Sequence, residues 1–431
     1  MEFDVSVVLT VMLVSLCVLV ALNVPIAIAV GISTFLMFFA VGLPEIGEVA
    51  IAQNMIAGLD IFTLLGIPMF ILSGVLMRHG GIAEKIMAFA AALVSKLPGG
   101  FALVNVLSCM LFGCISGSAV AGASSIGSCM IPEMEKRGYP PPFNAAVTTT
   151  AAVTGLLIPP SNVILIYALA SGTSVAGLFL AGILPGILFG VLLMIAAMIC
   201  CKWCGFGERS HEPFSYVLLL KTFLAASPGL SLAVIVMLGI VRGWVTATEA
   251  AAIAAAYALI LSMFVYKKVK FKDLPAILVE AGILISVVLF LIATSTAMCW
   301  LISLCHIPAA VSDYLINMFD SPILILLMIN ILLLLVGAFT DLTPVIVIFT
   351  PILLPVVQKF GMHPIQFGIV MVANLSIGLC TPPVGTSLFV SCALAKSSIW
   401  ESSKYMIVFV IAMLIGLFLI THFPWFTMCL V

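Results

Sequence analysis

The sequence predicts an all-α protein that crosses a membrane many times and is built from two related halves. Three observations carry that expectation. Of 431 residues, 64% are hydrophobic and only 8% charged, against about a quarter charged in soluble domains. Long apolar runs such as Val5 to Phe39, Gly177 to Cys201, Phe223 to Ile240, Ala276 to Leu304 and Tyr405 to Phe423 each suffice for the roughly 20 residues of a spanning helix. They lack the alternating ten-residue pattern, roughly, of a membrane barrel. Finally, one motif interrupts two such runs: Gly155-Leu-Leu-Ile-Pro159-Pro160-Ser161-Asn162 and Gly378-Leu-Cys-Thr-Pro382-Pro383-Val384-Gly385. A Pro-Pro break frees amides and carbonyls, which persist at membrane depth only where they are buried in protein or line a cavity. Matched breaks in two halves point to a substrate and ion site between them.

Taken in order, the first run starts near Val5 without a basic flank or cleavage site and reads as a retained helix. Asn23-Val-Pro25 either divides it into two spans or kinks one. Residues 60–77 then cross inward. Residues 82–97 place Ile82, Ile86, Phe89, Ala90 and Leu93 at helical spacing, the pattern of a helix lying in the interface or of a plain loop helix. The very apolar stretch 98–134 is flanked by Arg78, Lys85 and Lys96 before it and by Lys136 and Arg137 after it. Because positive charge collects in cytoplasmic loops, that stretch leaves and returns on one side, as a re-entrant hairpin. Its Gly113, Ser116, Gly117, Ser118 and Gly122 permit close backbone approach.

The first broken helix, 143–173, crosses outward, and 177–201 returns to Lys202, Arg209 and Lys221. Two further spans reach Lys267, Lys268, Lys270 and Lys272. Residues 274–302 lead out to a second hairpin, 322–357, entered from the opposite face. The second broken helix, 364–396, crosses inward and a last span ends outside. All of the sixteen Lys and Arg except Arg242 and Lys359 then lie in the cytoplasm. Pro132, Gly138 and Pro159-Pro160 recur at the same mutual spacings as Pro355, Gly361 and Pro382-Pro383, and Gly113 pairs with Gly337 after a one-residue adjustment. With opposite entry faces, this is an inverted repeat. The expected organisation is scaffold helices with an interfacial arm (1–97), a first transport repeat (98–201), central scaffold spans and basic loops (202–321), a second transport repeat (322–396) and a C-terminal span (397–431).

Each half offers oxygen to a hard cation. Ser116 and Ser118 lie beside flexible glycines, opposite carbonyls of Gly155 to Pro160; Thr340, Asp341 and Thr343 lie opposite carbonyls near Gly378, Thr381 and Val384. Half-helix C-termini add negative dipole to both cages. The opposing N-termini, near Ser161-Asn162 and Gly385-Thr386, suit an anionic substrate. An acid at mid-depth such as Asp341 is costly and reads as functional, unless it caps the helix beginning near Pro344. The hydroxyls could instead bond backbone within a tight tip. Glu249 and Glu280 read as helix-end bystanders, and the Gly182, Gly186, Gly190 ladder as close packing.

The twelve Cys are scattered like small hydrophobes. Cys201-x-x-Cys204, near His211, has no second pair and reads as a membrane-edge cluster. An intramembrane aspartyl protease needs two facing carboxylates, and only Asp341 is placed deep. A serine type needs a base that His79, His211, His306, His363 and His422 do not supply there. A passive channel would need a charged ring or polar stripe. What remains is a carrier for a small anion.

A family resemblance rests on Leu-Pro-Gly-Gly at 97–100, Ile-Ser-Gly-Ser at 115–118, Met-Glu-Lys-Arg-Gly-Tyr-Pro at 134–140, Gly-Leu-Leu-Ile-Pro-Pro-Ser at 155–161, Leu-Ala-Gly-Ile-Leu-Pro-Gly at 180–186, Asp-Leu-Thr-Pro at 341–344 and Gly-Leu-Cys-Thr-Pro-Pro-Val-Gly-Thr at 378–386. Over nearly its whole length the chain resembles the large membrane subunit, DctM type, of TRAP transporters. The resemblance implies a non-enzymatic secondary transporter of the bacterial inner membrane, driven by sodium (Na+) without ATP hydrolysis. Its cargo would be an organic acid: a dicarboxylate, a sialic acid or a sugar acid. It also implies a separate small four-helix membrane subunit, a periplasmic substrate-binding protein, and a scaffold carrying an elevator-type transport domain. Carried onto this chain, sodium would sit at Ser116, Ser118, Gly155, Ile158 and Pro160, and at Gly337, Thr340, Gly378, Thr381 and Val384. Substrate would meet Ser161, Asn162, Asp341, Thr343, Gly385 and Thr386.

Overall fold

A computed structural model describes residues 5–22, 24–42, 44–206, 215–311, 321–382 and 385–431. Among these residues every regular element is a helix. Asn23, Arg209, His211, Pro383 and Val384, all invoked above, lie outside the described residues.

The first apolar run resolves into two helices, α1 (Val5–Ala21) and α2 (Ile26–Val41). Pro25 precedes α2 in an extended conformation (φ −52°, ψ 132°). The pair is tied across its interface by Ser15 and Ser33 hydroxyls 2.6 Å apart, and Ser33 donates to the Met12 carbonyl at 3.1 Å. Next comes α3 (Pro44–Leu59), then a 3-10 turn (Phe62–Leu65) leading into α4 (Gly66–His79). Helix α5 (Ile82–Val94) follows. Its Ile82, Ile86, Ala90 and Val94 are buried against α6 (Gly100–Ser116) and α11 (Tyr216–Val241). Protein thus covers Ile82, Ile86 and Ala90 of the amphipathic stripe, while Phe89 is half-buried and Leu93 is exposed.

Helix α6 and α7 (Ala119–Lys136) form a hairpin whose tip is Gly117-Ser118. The chain then runs through α8 (Pro141–Thr154), an irregular stretch at 155–161, and α9 (Asn162–Ser171). Pro141 suits the first turn of α8 because its missing N–H would be unpaired there anyway. Helix α10 (Val175–Cys204) covers this break. Gly182 lies against the Leu157 carbonyl, Gly186 against Ile158 and Gly190 against Met110, so the glycine ladder serves close packing. After α11 come α12 (Ala247–Ile260), which continues through a π turn (Leu261–Val265), and α13 (Leu274–Leu304). Glu249 accepts from the Thr246 N–H at 2.8 Å while Thr246 caps Glu249 in return. That capping box makes Glu249 a structural residue.

The second half repeats the scheme. Helices α14 (Pro322–Phe339) and α15 (Leu342–Lys359) meet at Thr340-Asp341; α16 (Pro364–Gly378) and α17 (Thr386–Ala395) flank the second break. Helices α18 (Ile399–His422) and α19 (Trp425–Met428) end the fold. Seven helices among the described residues are long and apolar enough to cross a membrane: Phe62–His79, α10, α11, Ala247–Val265, α13, α15 and α18.

The halves interlock. Helix α9, from the first broken helix, packs on α15 of the second hairpin, while α17, from the second, packs on α7 and α8 of the first. Tyr167 on α9 donates to the Pro364 carbonyl at the start of α16 at 2.7 Å. These exchanges bring both tips and both breaks to one place.

Candidate ion and substrate site

In each half a hairpin arm crosses a break on a glycine pair. Gly113 of α6 lies so close to Gly155 that a Cβ on either would collide with the backbone of the other. In the second half a Cβ on Gly378 would lie 2.5 Å from the Gly337 carbonyl carbon. Contacts below 3.0 Å at such a Cβ force backbone to move, so only glycine lets hairpin and break touch main chain to main chain. A buried asparagine secures each crossing. Asn105 on α6 donates to Thr148 of α8 at 2.7 Å, and Asn374 on α16 donates to the backbone and side-chain oxygens of Asn330 on α14 at 3.0 and 2.9 Å.

The first junction is rich in unclaimed oxygen. Gly117 turns the tip with φ +59°, and a Cβ there would approach the Asn162 amide to 3.2 Å. Ser118 accepts from the Ala121 N–H at 3.3 Å and so caps α7. The Ser116 Oγ, by contrast, is buried with no hydrogen-bond partner among the described residues, as are those of Ser161 and Ser387. Among the described residues no backbone amide donates to the carbonyls from Gly155 to Pro160. Pro160 is buried and Ile158 half-buried beneath Gly186.

At the second junction more of the oxygens are engaged. Thr340 donates to the Val336 carbonyl at 2.8 Å, and the Gly378 carbonyl takes both the N–H and the hydroxyl of Thr381, at 2.9 and 2.8 Å. A hydroxyl that donates in this way still turns its lone pairs outward. Asp341 accepts from the Leu342 N–H at 2.9 Å, capping α15, yet remains exposed. No cluster of three His, Cys, Asp or Glu side chains able to hold a metal exists among the described residues. A cation held here would be held by hydroxyl and carbonyl oxygens.

Between the junctions lies a cavity of about 480 Å³. Ser116 and Ser118 of the first tip, Asp341 and Thr343 of the second, and Asn162 and Thr386 at the starts of α9 and α17 all line it. Ser161 and Gly385 are buried behind this surface. Two half-helix N-termini thus face the cavity beside both hairpin tips, an arrangement favouring negative charge. The opposite wall is aliphatic, from Ile67, Ile71 and Val75 of α4 and Ile283, Leu284 and Val287 of α13. At its edge stand Arg78 and Glu280, joined as an ion pair. Sequence reasoning treated Arg78 as a marker of the cytoplasmic face and Glu280 as a bystander. An acid within the apolar run from Ala276 to Leu304, with a base at the end of the distant apolar helix α4, was the available signal.

Fold and cavity together define a polytopic membrane carrier. The chain matches the family described as "Tripartite ATP-independent periplasmic transporter, DctM component" over residues 13–426, and it belongs to that family. It is 42% identical over 429 residues to the uncharacterised protein YgiK of Salmonella typhimurium, covering 98% of this chain and 97% of that one. It is 34% identical over 423 residues to the C4-dicarboxylate TRAP transporter large permease protein DctM of Rhodobacter capsulatus, covering 95% of each. In fold it is similar to the Alcanivorax borkumensis YdaH transporter, with a TM-score of 0.61 at 14% identity over 88% of each chain. The protein is a multi-pass component of the bacterial inner membrane and not an enzyme.

Proposed function

We propose that this chain is the large permease subunit of a sodium-driven TRAP system that imports a small organic acid. The reading is carried by the cavity, in which two hairpin tips and two half-helix N-termini converge. Sodium would bind at each hairpin–break junction: at Ser116, Ser118, Gly155, Ile158 and Pro160 in the first, and at Gly337, Thr340, Gly378 and Thr381 in the second. The partnerless Ser116 hydroxyl and the free carbonyls of 155–160 support the first of these sites. The anion would lie between them, facing Asn162, Asp341, Thr343 and Thr386. A dicarboxylate heads the substrate classes, as the name of the Rhodobacter relative suggests; sialic and keto sugar acids follow. In this reading the hairpins are re-entrant, the halves are inverted, and residues 98–201 with 322–396 move as an elevator-type transport domain against α4 and α13. A small four-helix subunit and a periplasmic binding protein complete the system.

The test is uptake of labelled organic acids into proteoliposomes holding this chain and its small subunit. Uptake is expected only with inward-directed sodium and added binding protein. Unchanged uptake with choline in place of sodium removes the sodium assignment, and full uptake without binding protein makes the chain a stand-alone symporter.

A further inference from the structure

The cavity poses an electrostatic problem for an anion. Two carboxylates line it, Asp341 and Glu280, and among the described lining residues Arg78 bears the one positive side chain. Helix N-termini contribute partial charge, but a fully ionised substrate needs a cation to replace the water it loses. Arg78 has the planar fork that matches a carboxylate with two parallel hydrogen bonds.

The surroundings of Arg78 show how it could be released. Glu280 divides its two oxygens, Oε1 to Arg78 and Oε2 to His79 Nε2 at 2.8 Å. The side chains of Arg78 and Glu280 remain 27% and 37% exposed, so the pair is solvated enough to exchange partners. Behind Glu280 lies a second pocket of about 330 Å³, lined by His79, Lys268, Lys272 and Asp273. Glu280 belongs to the walls of both pockets.

We propose that Arg78 binds the carboxylate of the transported acid, and that Glu280 is the stand-in carboxylate that holds Arg78 in place when no substrate is present. Arrival of substrate displaces Glu280 from Arg78 and leaves it held by His79 alone. The anion then has a path past Glu280 into the mixed-charge pocket lined by His79, Lys268, Lys272 and Asp273. The proposal rests on the organic-acid reading given above. It adds the residue that recognises the acid and the side from which it departs.

The experiment compares the wild type with Arg78→Gln, Arg78→Lys, Glu280→Gln and the double variant Arg78→Gln/Glu280→Gln. All are purified with the small subunit, and assembly is checked by size exclusion. Labelled succinate, N-acetylneuraminate and 2,3-diketogulonate are the probes, read by equilibrium dialysis in sodium and by uptake with binding protein. For the acid the wild type carries fastest, Arg78→Gln should weaken binding at least tenfold. Arg78→Lys should recover part of it, Glu280→Gln should tighten it, and the double variant should stay as weak as Arg78→Gln. If the double variant instead regains wild-type affinity within twofold, the pair is a structural tie and the proposal falls, while the transporter reading stands. Unchanged affinity in Arg78→Gln overturns it equally. A wild type that carries none of the three acids overturns both.

Discussion

Ser116 and Ser118 lie two residues apart at one tip and are occupied differently. Ser118 spends its oxygen on the Ala121 N–H, the ordinary duty of an N-cap, whose loss costs about 1 kcal/mol. Ser116 is buried with its hydroxyl unpartnered among the described residues, and an unmet buried hydroxyl costs about 1–3 kcal/mol. Such a cost is retained when a ligand offsets it. Ser118→Ala should therefore lower the melting temperature and, because its oxygen is already engaged by the Ala121 N–H, disturb sodium dependence less than Ser116→Ala does. Ser116→Ala should leave the melting temperature nearly unchanged and raise the sodium concentration for half-maximal uptake about tenfold, the equivalent of about 1.4 kcal/mol. Sodium titrations of uptake alongside thermal melts separate the two; identical titrations for both variants would remove Ser116 from the cation site. Asp341 combines the two duties, since it caps α15 through Leu342 while facing the cavity, so its loss would not distinguish them.

At the scale of elements, the glycine crossings decide whether hairpin and break meet at all. Adding a methyl group at Gly113, Gly155 or Gly378 meets neighbouring backbone, whereas a Cβ at Gly282 on α13 meets nothing within 4 Å. Overpacking of this kind costs about 1–3 kcal/mol or more, and a helical Gly→Ala change in open space gains up to about 1 kcal/mol. Gly113→Ala and Gly378→Ala should thus abolish uptake in inserted protein, and Gly282→Ala should transport at the wild-type rate with equal or higher thermal stability; normal uptake by Gly378→Ala would show that the second crossing is not needed. These crossings were legible because proline and glycine act locally: the matched spacings around Pro159-Pro160 and Pro382-Pro383 located both interruptions, which lie at 155–161 and after Gly378. Helix α3 was not legible, because Gln53 and Asn54 break an already short apolar run and its packing, with Gly58 against Thr296 of α13, is tertiary. The Arg78–Glu280 pair was hidden for the same reason, since 202 positions of chain separate two charges that each look like a helix end.

At the scale of the molecule, the exchange of α9 and α17 between halves makes the two hairpins and two broken helices one interlocked unit. The unit meets α4 and α13 largely through aliphatic side chains around the cavity. Dispersion and apolar burial are non-directional, so such a surface stabilises contact without pinning one register, as a sliding transport domain requires. Two close contacts across it among the described residues are Gly74 of α4, which packs against the Ser116 backbone, and the Cys299 thiol on α13, 3.3 Å from the Val347 carbonyl on α15; the second can be trapped chemically. In the proposed elevator that contact separates in every cycle. Val347→Cys puts a second thiol on the residue whose carbonyl the native thiol meets, and a short bis-methanethiosulfonate reagent is used to bridge the two. Bridging should stop sodium-driven uptake, and excess dithiothreitol should restore it, while the wild type treated identically keeps its rate. Mass spectrometry of the peptide pair joined through positions 299 and 347 measures the fraction bridged. Uptake that continues undiminished in fully bridged protein would mean that α13 and α15 travel together, and the moving boundary would then have to lie elsewhere than along α13.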